Sequence, residues 1–432
     1  MKVLLVNSPL GRSQPNIYPL GLAYLATSIK SHELAGFDAA LSATPFQDLS
    51  NMIDTFVPDV IGISLRNIDT LTSSNIYSYF SPFVQTVKHI KEHHPNVTVV
   101  VGGAGFSLFG QEIMERVSEI DYGILLEGEK TFPELLNNLD EPQHIEGVYF
   151  RTGGKVIFKG NPEPLEFGRI PIPDREIFDV SQYRHPFSVG VQTKRGCVFE
   201  CIYCTYPYLT GRNVRVRTAE SVGEELENLN KNHNIREIFF ADNVFNFPLE
   251  HAEGICKEII KRELNLKWTA YFSEKFINRE FVKLALEAGC EKFVFAPDGY
   301  NDVSLKKLGK GIRRKDLERT YDLMEELGAK FSCGFIWNQP NTKFEDLVDL
   351  ISLVFRLVRM NNLEGLGFTT MRILPKTRLY GIALREGYLA PENQLIEPIY
   401  FDPPPLNTIT WMVKLLRKII SKVRTSSEQV AT

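Results

Sequence analysis

The sequence predicts an α/β protein with an N-terminal doubly wound parallel sheet, a second run of six strands that alternate with helices, and a small helical region at the C-terminus. Short apolar runs rich in β-branched residues alternate with amphipathic segments, which is typical of parallel sheets covered by helices. Proline and glycine concentrate between the two runs, as in an extended linker. We therefore expect a first domain over residues 1–150, a linker over 151–187, a second domain over 188–380 and a C-terminal region over 381–432.

Composition and charge favour an ordinary globular protein. Of the 432 residues, 43% are hydrophobic and 24% are charged, as in typical soluble domains. The net charge of −4 gives no reason to expect nucleic acid or an acidic membrane as a partner. No apolar run approaches the ~20 residues of a membrane span, and the N-terminus has the pattern of a strand rather than of a signal peptide. Cys256, Cys290 and Cys333 are scattered singly, which is typical of reduced thiols in a cytoplasmic chain.

Strands and helices alternate through the first domain. The predicted strands cover residues 3–6, 59–64, 97–101 and 120–126, and the predicted helices cover 20–30, 80–93 and 131–139. Parallel sheets of this kind bind ligands at the carboxyl ends of their strands. Glycine-containing turns at 102–107 and 127–129 stand at two such ends, where backbone N–H groups can approach a phosphate or an amide. The alternative is that both are tight strand-to-helix turns, since no G-x-G-x-x-G pattern is present.

The second domain has the same alternation, after a linker that is expected to begin as a β-ribbon. Its predicted strands cover residues 189–194, 235–240, 268–272, 292–295, 331–336 and 365–373. Its predicted helices cover residues 220–232, 280–288, 314–327 and 344–359. Six strands joined by helices predict a second parallel sheet.

Three cysteines lie within eight residues just after the first strand of this domain. Cys197, Cys201 and Cys204 have the spacing C-x3-C-x2-C, and thiolates are the soft ligands that suit iron–sulfur clusters or zinc. Structural zinc needs four ligands, and no fourth Cys or His lies close in sequence. Three thiolates on a four-iron cube leave one iron open for a substrate. The alternatives are a zinc knuckle, or a disulfide with one free thiol.

With Tyr203 before the last cysteine, this motif resembles the radical S-adenosylmethionine (SAM) superfamily. The resemblance implies a [4Fe-4S] cluster on the three cysteines, SAM on the open iron, and an electron donor such as flavodoxin or ferredoxin. It also implies that the second domain is the partial (β/α)6 barrel of the superfamily, whose active groups should lie at the carboxyl ends of the strands.

The first domain resembles the cobalamin-binding domain of class B radical SAM methylases. The resemblance is carried by residues 19–26, 59–64, 102–107 and 127–131. It implies that the following residues contact cobalamin: Ser64, Gly102, Gly103, Gly105, Ser107, Glu127 and Gly128. The D-x-H-x-x-G motif, whose histidine binds cobalt in many cobalamin proteins, is absent.

Arg66 follows the second predicted strand and is therefore expected beneath the cobalt. A guanidinium group does not lose its proton there, so it should not act as a ligand. We hypothesise that Arg66 keeps the lower face of cobalamin unligated and favours methyl transfer. The alternative is that Arg66 pairs with Asp69 or with a corrin amide.

The barrel resemblance also implies a SAM site at the strand ends. The residues expected there are Tyr203, Asp242, Asn243, Tyr271 and Asp298. A carboxylate in a dry pocket suits the SAM amino group, although both aspartates have helix N-capping as an alternative role. The segment 307–311 resembles a family segment near the substrate, with a solvated helix end as the alternative.

Glu274 ends the third predicted strand and carries a separate hypothesis. There it is placed to reach the open iron and compete with SAM, as the resemblance to the tryptophan C2-methylating branch suggests, and SAM would then act only as a methyl donor. The alternative is a surface acid that pairs with Lys275.

The resemblance implies an enzyme that moves a methyl group from SAM, via methylcobalamin, to an unactivated carbon of a small molecule or natural product. In the usual route, a second SAM supplies the radical that activates this carbon. The first rival is a cobalamin-dependent rearrangement or cyclisation without methyl transfer. The second is a corrinoid-binding protein without turnover.

Residues 411–423 predict an amphipathic C-terminal helix. Its apolar face is formed by Trp411, Leu415, Leu416, Ile419, Ile420 and Val423. Basic side chains decorate the opposite face, which is compatible with a membrane or lipid contact. We prefer a terminal helix docked on the protein, in a region that covers the site and selects the substrate.

Overall fold

The computed structural model describes residues 1–8, 16–73, 75–402 and 407. Its strands are β1 (Lys2–Asn7), β2 (Glu33–Asp38), β3 (Val60–Ser64), β4 (Thr98–Gly102), β5 (Tyr122–Ile124), β6 (Val148–Thr152), β7 (Lys155–Phe158), β8 (Val189–Val191), β9 (Lys194–Arg195), β10 (Arg215–Val216), β11 (Glu237–Phe240), β12 (Lys267–Phe272), β13 (Cys290–Asp298), β14 (Phe331–Ile336), β15 (Leu363–Thr369), β16 (Met371–Arg372) and β17 (Tyr400–Phe401). Its helices are α1 (Leu20–Ser28), α2 (Pro45–Phe56), α3 (Phe80–His93), α4 (Ala104–Arg116), α5 (Gly128–Leu136), α6 (Tyr206–Leu209), α7 (Ala219–Glu227), α8 (Leu249–Lys261), α9 (Arg279–Glu287), α10 (Asp302–Leu308), α11 (Arg314–Glu326), α12 (Phe344–Leu357) and α13 (Arg378–Arg385).

The first sheet has the strand order β2-β1-β3-β4-β5-β6-β7. Strands β1 to β5 are parallel, and β6 and β7 are added antiparallel at one edge. Along β1, Val3 and Leu5 pack with the core beneath α1 and α5, whereas Leu4 and Val6 pack with the core beneath α2, α3 and α4. Since both faces of the central strand are buried, the predicted doubly wound sheet is confirmed.

Several elements of this domain differ from the prediction. Strand β2 and helix α2 were not predicted: β2 contains Gly36 and no β-branched residue, and α2 buries only Leu49 and Ile53. Residues 104–107 were expected in a turn, but they form the first turn of α4. The predicted β-ribbon is the hairpin of β6 and β7, and it carries the first sheet to Phe158, beyond the expected boundary at 150. The domain boundaries at 150, 187 and 380 stay predictions.

The second sheet is parallel throughout, with the order β8-β11-β12-β13-β14-β15. Its strands occur in the order of the chain and are linked by helices, and the outer strands β8 and β15 do not pair with each other. The sheet is therefore the predicted partial barrel, open on one side. The last predicted strand, 365–373, is split into β15 and β16, and β16 pairs instead with β17 near the end of the described chain.

The carboxyl ends of the two sheets face each other and are joined by buried ion pairs. Arg195 on β9 lies 2.5 Å from Glu129 and 3.2 Å from Glu127, at the start of α5. Arg372 on β16 lies 2.9 Å from Asp69, in the loop after β3. These contacts hold the ligand-binding edges of both sheets around a common cleft. None of the described helices combines the length and the apolar character that a membrane span needs.

Candidate active site

A cavity of about 240 Å³, here called the glycine slot, lies at the carboxyl ends of β3, β4 and β5. Glycines contribute much of its wall, at positions Gly21, Gly62, Gly102, Gly103 and Gly128. Ser64, Ser107 and Glu127 also line it. The structure thus brings together six of the seven residues that the sequence assigned to cobalamin. Ser64 lies at the end of β3, and the other five lie at the N-terminal ends of α4 and α5, where N–H groups favour polar ligand atoms.

Gly105 is the exception among these seven. It lies inside α4, donates its backbone N–H to the Leu65 carbonyl at 2.9 Å and packs against the backbone after β3. Gly103 has the stricter steric requirement, because its φ is 101° and an added Cβ would lie 2.7 Å from the Leu65 carbonyl oxygen. Gly103 therefore allows the chain to turn from β4 into α4, and Gly105 allows the loop after β3 to lie close to α4.

The carboxylate of Glu127 is occupied by protein groups. It accepts hydrogen bonds from Arg195 at 3.2 Å, from Arg215 at 2.8 Å and 3.0 Å, and from the Leu165 backbone N–H at 3.0 Å. Burial opposes its ionisation, but the bonds and charges of the two arginines outweigh burial and lower the pKa of Glu127. Its side chain thus joins the two domains at the edge of the slot.

A second cavity, of about 530 Å³, is here called the cysteine cavity. It contains Cys197, Cys201, Cys204, Tyr203, Asn243, Tyr271, Glu274 and Asp298 in its wall. All six cysteines of the chain are free thiols, which argues against the disulfide alternative. Within the described ranges, no group of three or more His, Cys, Asp or Glu side chains is arranged to hold a metal ion. The three thiols border one cavity, and this donor set fits a cluster that carries several iron atoms.

Backbone contacts fix the loop that bears these thiols. Gly196 has a φ of 98°, and an added Cβ would lie 2.1 Å from the Asn213 carbonyl oxygen, so only glycine fits there. The Cys197 N–H donates to the Gly211 carbonyl at 3.1 Å, and the Ile202 N–H donates to the Leu308 carbonyl at 3.0 Å. Backbone hydrogen bonds thus hold the loop on both sides. Burial raises the pKa of all three thiols, and that of Cys204 to about 12.

Tyr203, Asp298 and Lys310 form a buried polar cluster next to the cysteine loop. The Tyr203 hydroxyl donates to the Asp298 carboxylate, and the Lys310 ammonium lies 2.8 Å from that carboxylate and 3.2 Å from the hydroxyl. Burial opposes the charge of Lys310, but Asp298 and its neighbours raise the lysine's pKa well above the usual value. Asp298 ends β13 and does not cap a helix, and Lys310, within the segment 307–311, faces the cavity rather than solvent.

Asp242 lies outside the cysteine cavity. Its carboxylate is buried and accepts bonds from the Thr193 N–H at 2.8 Å, the Thr193 hydroxyl at 2.5 Å and the Lys194 N–H at 3.2 Å. The Lys194 ammonium lies 3.8 Å away. These groups occupy both oxygens, so the structure does not bring Asp242 to the predicted SAM site and places it beneath the start of the cysteine loop. The neighbouring Asn243 does line the cavity.

Glu274 is a buried acid at the cavity wall, so the alternative of a surface acid paired with Lys275 is wrong. It is 2% exposed, and its carboxylate lies 3.4 Å from the Tyr321 hydroxyl. Burial raises the pKa of Glu274 to about 7. The carboxyl group therefore changes charge near neutral pH, in the same cavity as the three thiols.

Tyr206, on the short helix α6 after the cysteine loop, lines both cavities and forms the wall between them. The sequence analysis missed it, although an aromatic residue two positions after Cys204 was a usable signal. Arg66 lies nearby, and its charge acts on both Tyr206 and Asp38. Part of the Arg66 side chain reaches solvent, but burial in the cleft still lowers its pKa. Asp69 pairs with Arg372, and among the described residues the alternative pairing of Arg66 with Asp69 is not formed.

Comparisons with known proteins identify two domain families in the chain. The B12 binding domain family matches residues 9–136, and the radical SAM superfamily matches residues 191–354. An uncharacterized methyltransferase of Pyrococcus horikoshii is 30% identical over 410 residues, which cover 91% of this chain and 85% of the relative. The anaerobic magnesium-protoporphyrin IX monomethyl ester cyclase of Rubrivivax gelatinosus is 23% identical over 76% of this chain and 60% of its own.

A solved structure shares the fold across both domains. The radical SAM methyltransferase TsrM from Kitasatospora setae, with tryptophan and a SAM analog bound, superposes with a TM-score of 0.77 at 23% identity, over 89% of this chain and 76% of its own. The sequence match to the Pyrococcus methyltransferase and the two domain families identify the protein's family. The chain belongs to the cobalamin-dependent radical SAM enzymes of the methyltransferase type, whose cofactors are cobalamin, a [4Fe-4S] cluster and SAM.

Proposed function

We propose that this enzyme transfers the methyl group of SAM to an unactivated carbon of a small, largely apolar molecule bound in the cysteine cavity. The observation that carries the proposal is the shared wall at Tyr206. Because one side chain borders both cavities, a corrin ring held at the glycine slot lies next to the space that contains the three thiols. Cobalamin, the cluster and SAM supply, when bound, the methyl group and the activation of the carbon.

The chain's own residues bind and orient these groups. Cys197, Cys201 and Cys204 hold the cluster, and the fixed backbone of their loop sets its position. The Tyr203 hydroxyl and the Lys310 ammonium both contact the Asp298 carboxylate. These three side chains together fix the position of one side of the cavity wall. Asn243 and Tyr271 border the space assigned to SAM. An electron donor such as flavodoxin or ferredoxin completes the system.

Arg66 and Glu274 carry the finer parts of the proposal. Arg66 is exposed near Tyr206, where a cation that keeps its proton would leave the lower face of bound cobalamin without a protein ligand. Glu274 borders the same cavity as the thiols and would be the protein group that competes with SAM for the open iron. SAM then acts as a methyl donor only.

The lining of the cysteine cavity supports an apolar substrate. Its wall includes Leu71 from the first domain and the following side chains of the second: Val244, Phe272, Ile312, Ile336, Met371 and Leu374. Two of its charged groups, Lys310 and Arg372, already have acidic partners in Asp298 and Asp69. An apolar ring system of the size of the tryptophan bound to TsrM suits such a space.

The test is anaerobic reconstitution with iron, sulfide and cobalamin, followed by incubation of the enzyme with SAM and a host extract. We expect S-adenosylhomocysteine and products enlarged by CH2, measured by mass spectrometry. Cys201→Ala should lose cluster iron and all SAM turnover while it keeps bound corrinoid, because the slot is separate from the thiols. Cys290→Ala is the matched control, since that buried cysteine lies outside the cavity. SAM turnover equal to the wild type in Cys201→Ala would contradict the proposal.

Cyclisation without methyl transfer is the second candidate, favoured by the similarity to the cyclase of Rubrivivax gelatinosus. It predicts 5′-deoxyadenosine without S-adenosylhomocysteine, since no methyl group is moved. Methyl transfer by a radical route predicts both products together. If Glu274 occupies the open iron, S-adenosylhomocysteine should form alone, and Glu274→Gln should begin to release 5′-deoxyadenosine.

A further inference from the structure

Helix α12 carries an apolar stripe on its outer face. Val348, Ile351, Phe355 and Val358 are between 54% and 60% exposed, and their spacing of three, four and three residues places them on one side of the helix. The opposite side of α12 buries Leu350, Leu353 and Leu357 in the core of the barrel domain. The helix is therefore apolar on two sides, of which the described residues cover only one.

We propose that residues 411–423 of the same chain dock on this stripe. This segment lies outside the described residues, and its sequence has the pattern of an amphipathic helix. Met412, Leu416, Ile419 and Val423 repeat with a spacing of four, three and four, which complements the stripe in the way that two helices share a seam. At ~1.5 Å per residue, the two patterns have nearly the same length, about 16 Å and about 15 Å.

The end of the described chain lies in the right place for this contact. Asp402 accepts a hydrogen bond from the Asn338 side-chain amide at 3.1 Å, and Asn338 belongs to the loop that leads from β14 into α12. Residues 403–410 then separate Asp402 from the docking segment. This linker of eight residues, in which Asn407 is helical, tethers the segment to the loop that precedes α12.

Charge distinguishes this occupant from a second copy of α12. Residues 411–424 contain five basic side chains and no acidic one: Lys414, Arg417, Lys418, Lys422 and Arg424. Helix α12 contains Glu345, Asp346 and Asp349 against Arg356. The segment and the helix therefore attract each other, whereas two copies of α12 bring like charges together. Docking would cover the stripe and anchor the C-terminus on the barrel domain.

Hydrogen–deuterium exchange of the full chain, read by mass spectrometry, tests the proposal. In the wild type we expect slow exchange in residues 411–423. Ile351→Glu and Phe355→Glu should speed that exchange by about tenfold or more, because each puts a charge into the buried seam. Ile157→Glu is the matched control, since Ile157 is also an exposed apolar residue but lies on the hairpin of the first domain, and it should change nothing in the segment. A chain ending at residue 410 should show faster exchange in α12.

Three results would overturn the proposal. The first is fast exchange of residues 411–423 that is equal in wild type and variants. The second is a dimer on size-exclusion chromatography that Phe355→Glu converts to a monomer, which would assign the stripe to a second copy. The third is slow exchange of the segment only when phosphatidylserine vesicles are added. Should one glutamate variant fail to fold by circular dichroism, Val358→Asn replaces it in the same comparison.

Discussion

The glycine slot and the cysteine cavity present different kinds of surface to their ligands. The slot has five glycines in its wall, beside apolar side chains and the paired charges of Arg195, Glu127 and Glu129, so main-chain conformation sets part of its shape. The cysteine cavity is walled by side chains, among them the buried charges of Glu274, Asp298 and Lys310. Binding in the slot depends on the glycines in its wall, because a Cβ atom at these positions would take up space that the ligand needs. Binding in the cavity depends on which polar groups are already engaged with one another, and this difference can be tested by substitution.

The largest effect on stability is expected at Asp242, whose side chain lies beneath the start of the cysteine loop. Asp242→Ala leaves two backbone N–H groups and the Thr193 hydroxyl without their acceptor. It also removes the negative charge opposite the buried Lys194 ammonium, which still donates to the Phe245 and Phe247 carbonyls. We expect the free energy of unfolding to fall by about 3–5 kcal/mol, as for other broken buried ion pairs. Urea denaturation of the cluster-free protein measures this loss.

Asn243→Ala is the matched comparison, because the neighbouring side chain lines the cavity and is less engaged. It should raise the KM for SAM and change stability by less than ~1 kcal/mol. The outcome that would restore Asp242 to the SAM site is a raised KM in Asp242→Asn with unchanged stability.

What the sequence predicted well follows the same division. The glycines after β4 and β5 were expected at a strand end that binds a ligand, and the structure places them in the wall of a cavity; their contact with cobalamin stays a prediction. The three cysteines could be recognised because the C-x3-C-x2-C spacing is typical of a loop that binds a cluster. Both parallel sheets followed from the alternation of apolar strands with helices.

What it missed depended on three-dimensional partners. Asp242 and Asn243 are adjacent in sequence. The Asp242 carboxylate accepts hydrogen bonds beneath the cysteine loop, whereas Asn243 lines the cavity. Lys310 lies in a segment that had a solvated helix end as its alternative, and only the fold places it 2.8 Å from Asp298. Gly105 was predicted to lie in the same turn as Gly103, but it lies inside α4.

A smaller effect is expected from the titration of Glu274. Its pKa in the folded protein is about 7, raised by burial from the 4.5 of an exposed glutamate. The unfolded chain therefore loses this proton first as the pH rises, and stability falls between about pH 4.5 and pH 7. Glu274→Gln removes the penalty and should stabilise the cluster-free protein by about 3 kcal/mol at pH 8, with little change near pH 4.5.

Urea denaturation at both pH values measures the effect. Lys275→Met is its control, because that neighbouring charge is exposed and should leave the pH dependence unchanged. A Glu274→Gln protein with the wild-type dependence on pH would show that the pKa of this carboxyl is the same in the folded and the unfolded chain, contrary to its burial.

The smallest effects are expected at two adjacent glycines of the glycine slot. Substitutions there test whether the slot binds cobalamin. An alanine Cβ at Gly102 would meet nothing nearer than the Ile124 carbonyl oxygen at 3.6 Å, so Gly102→Ala should fold normally. Because Gly102 lines the slot, its new methyl group should lower cobalamin affinity by about tenfold, or ~1.4 kcal/mol.

At Gly103, the positive φ and the 2.7 Å approach to the Leu65 carbonyl oxygen add a folding cost of about 1–2 kcal/mol. Gly387→Ala, which has a positive φ in open space away from the slot, should show some of that cost with unchanged cobalamin affinity. Thermal denaturation and cobalamin titration of the three variants separate strain from filling of the slot, and equal affinities in all three would mean that the slot does not bind the corrinoid.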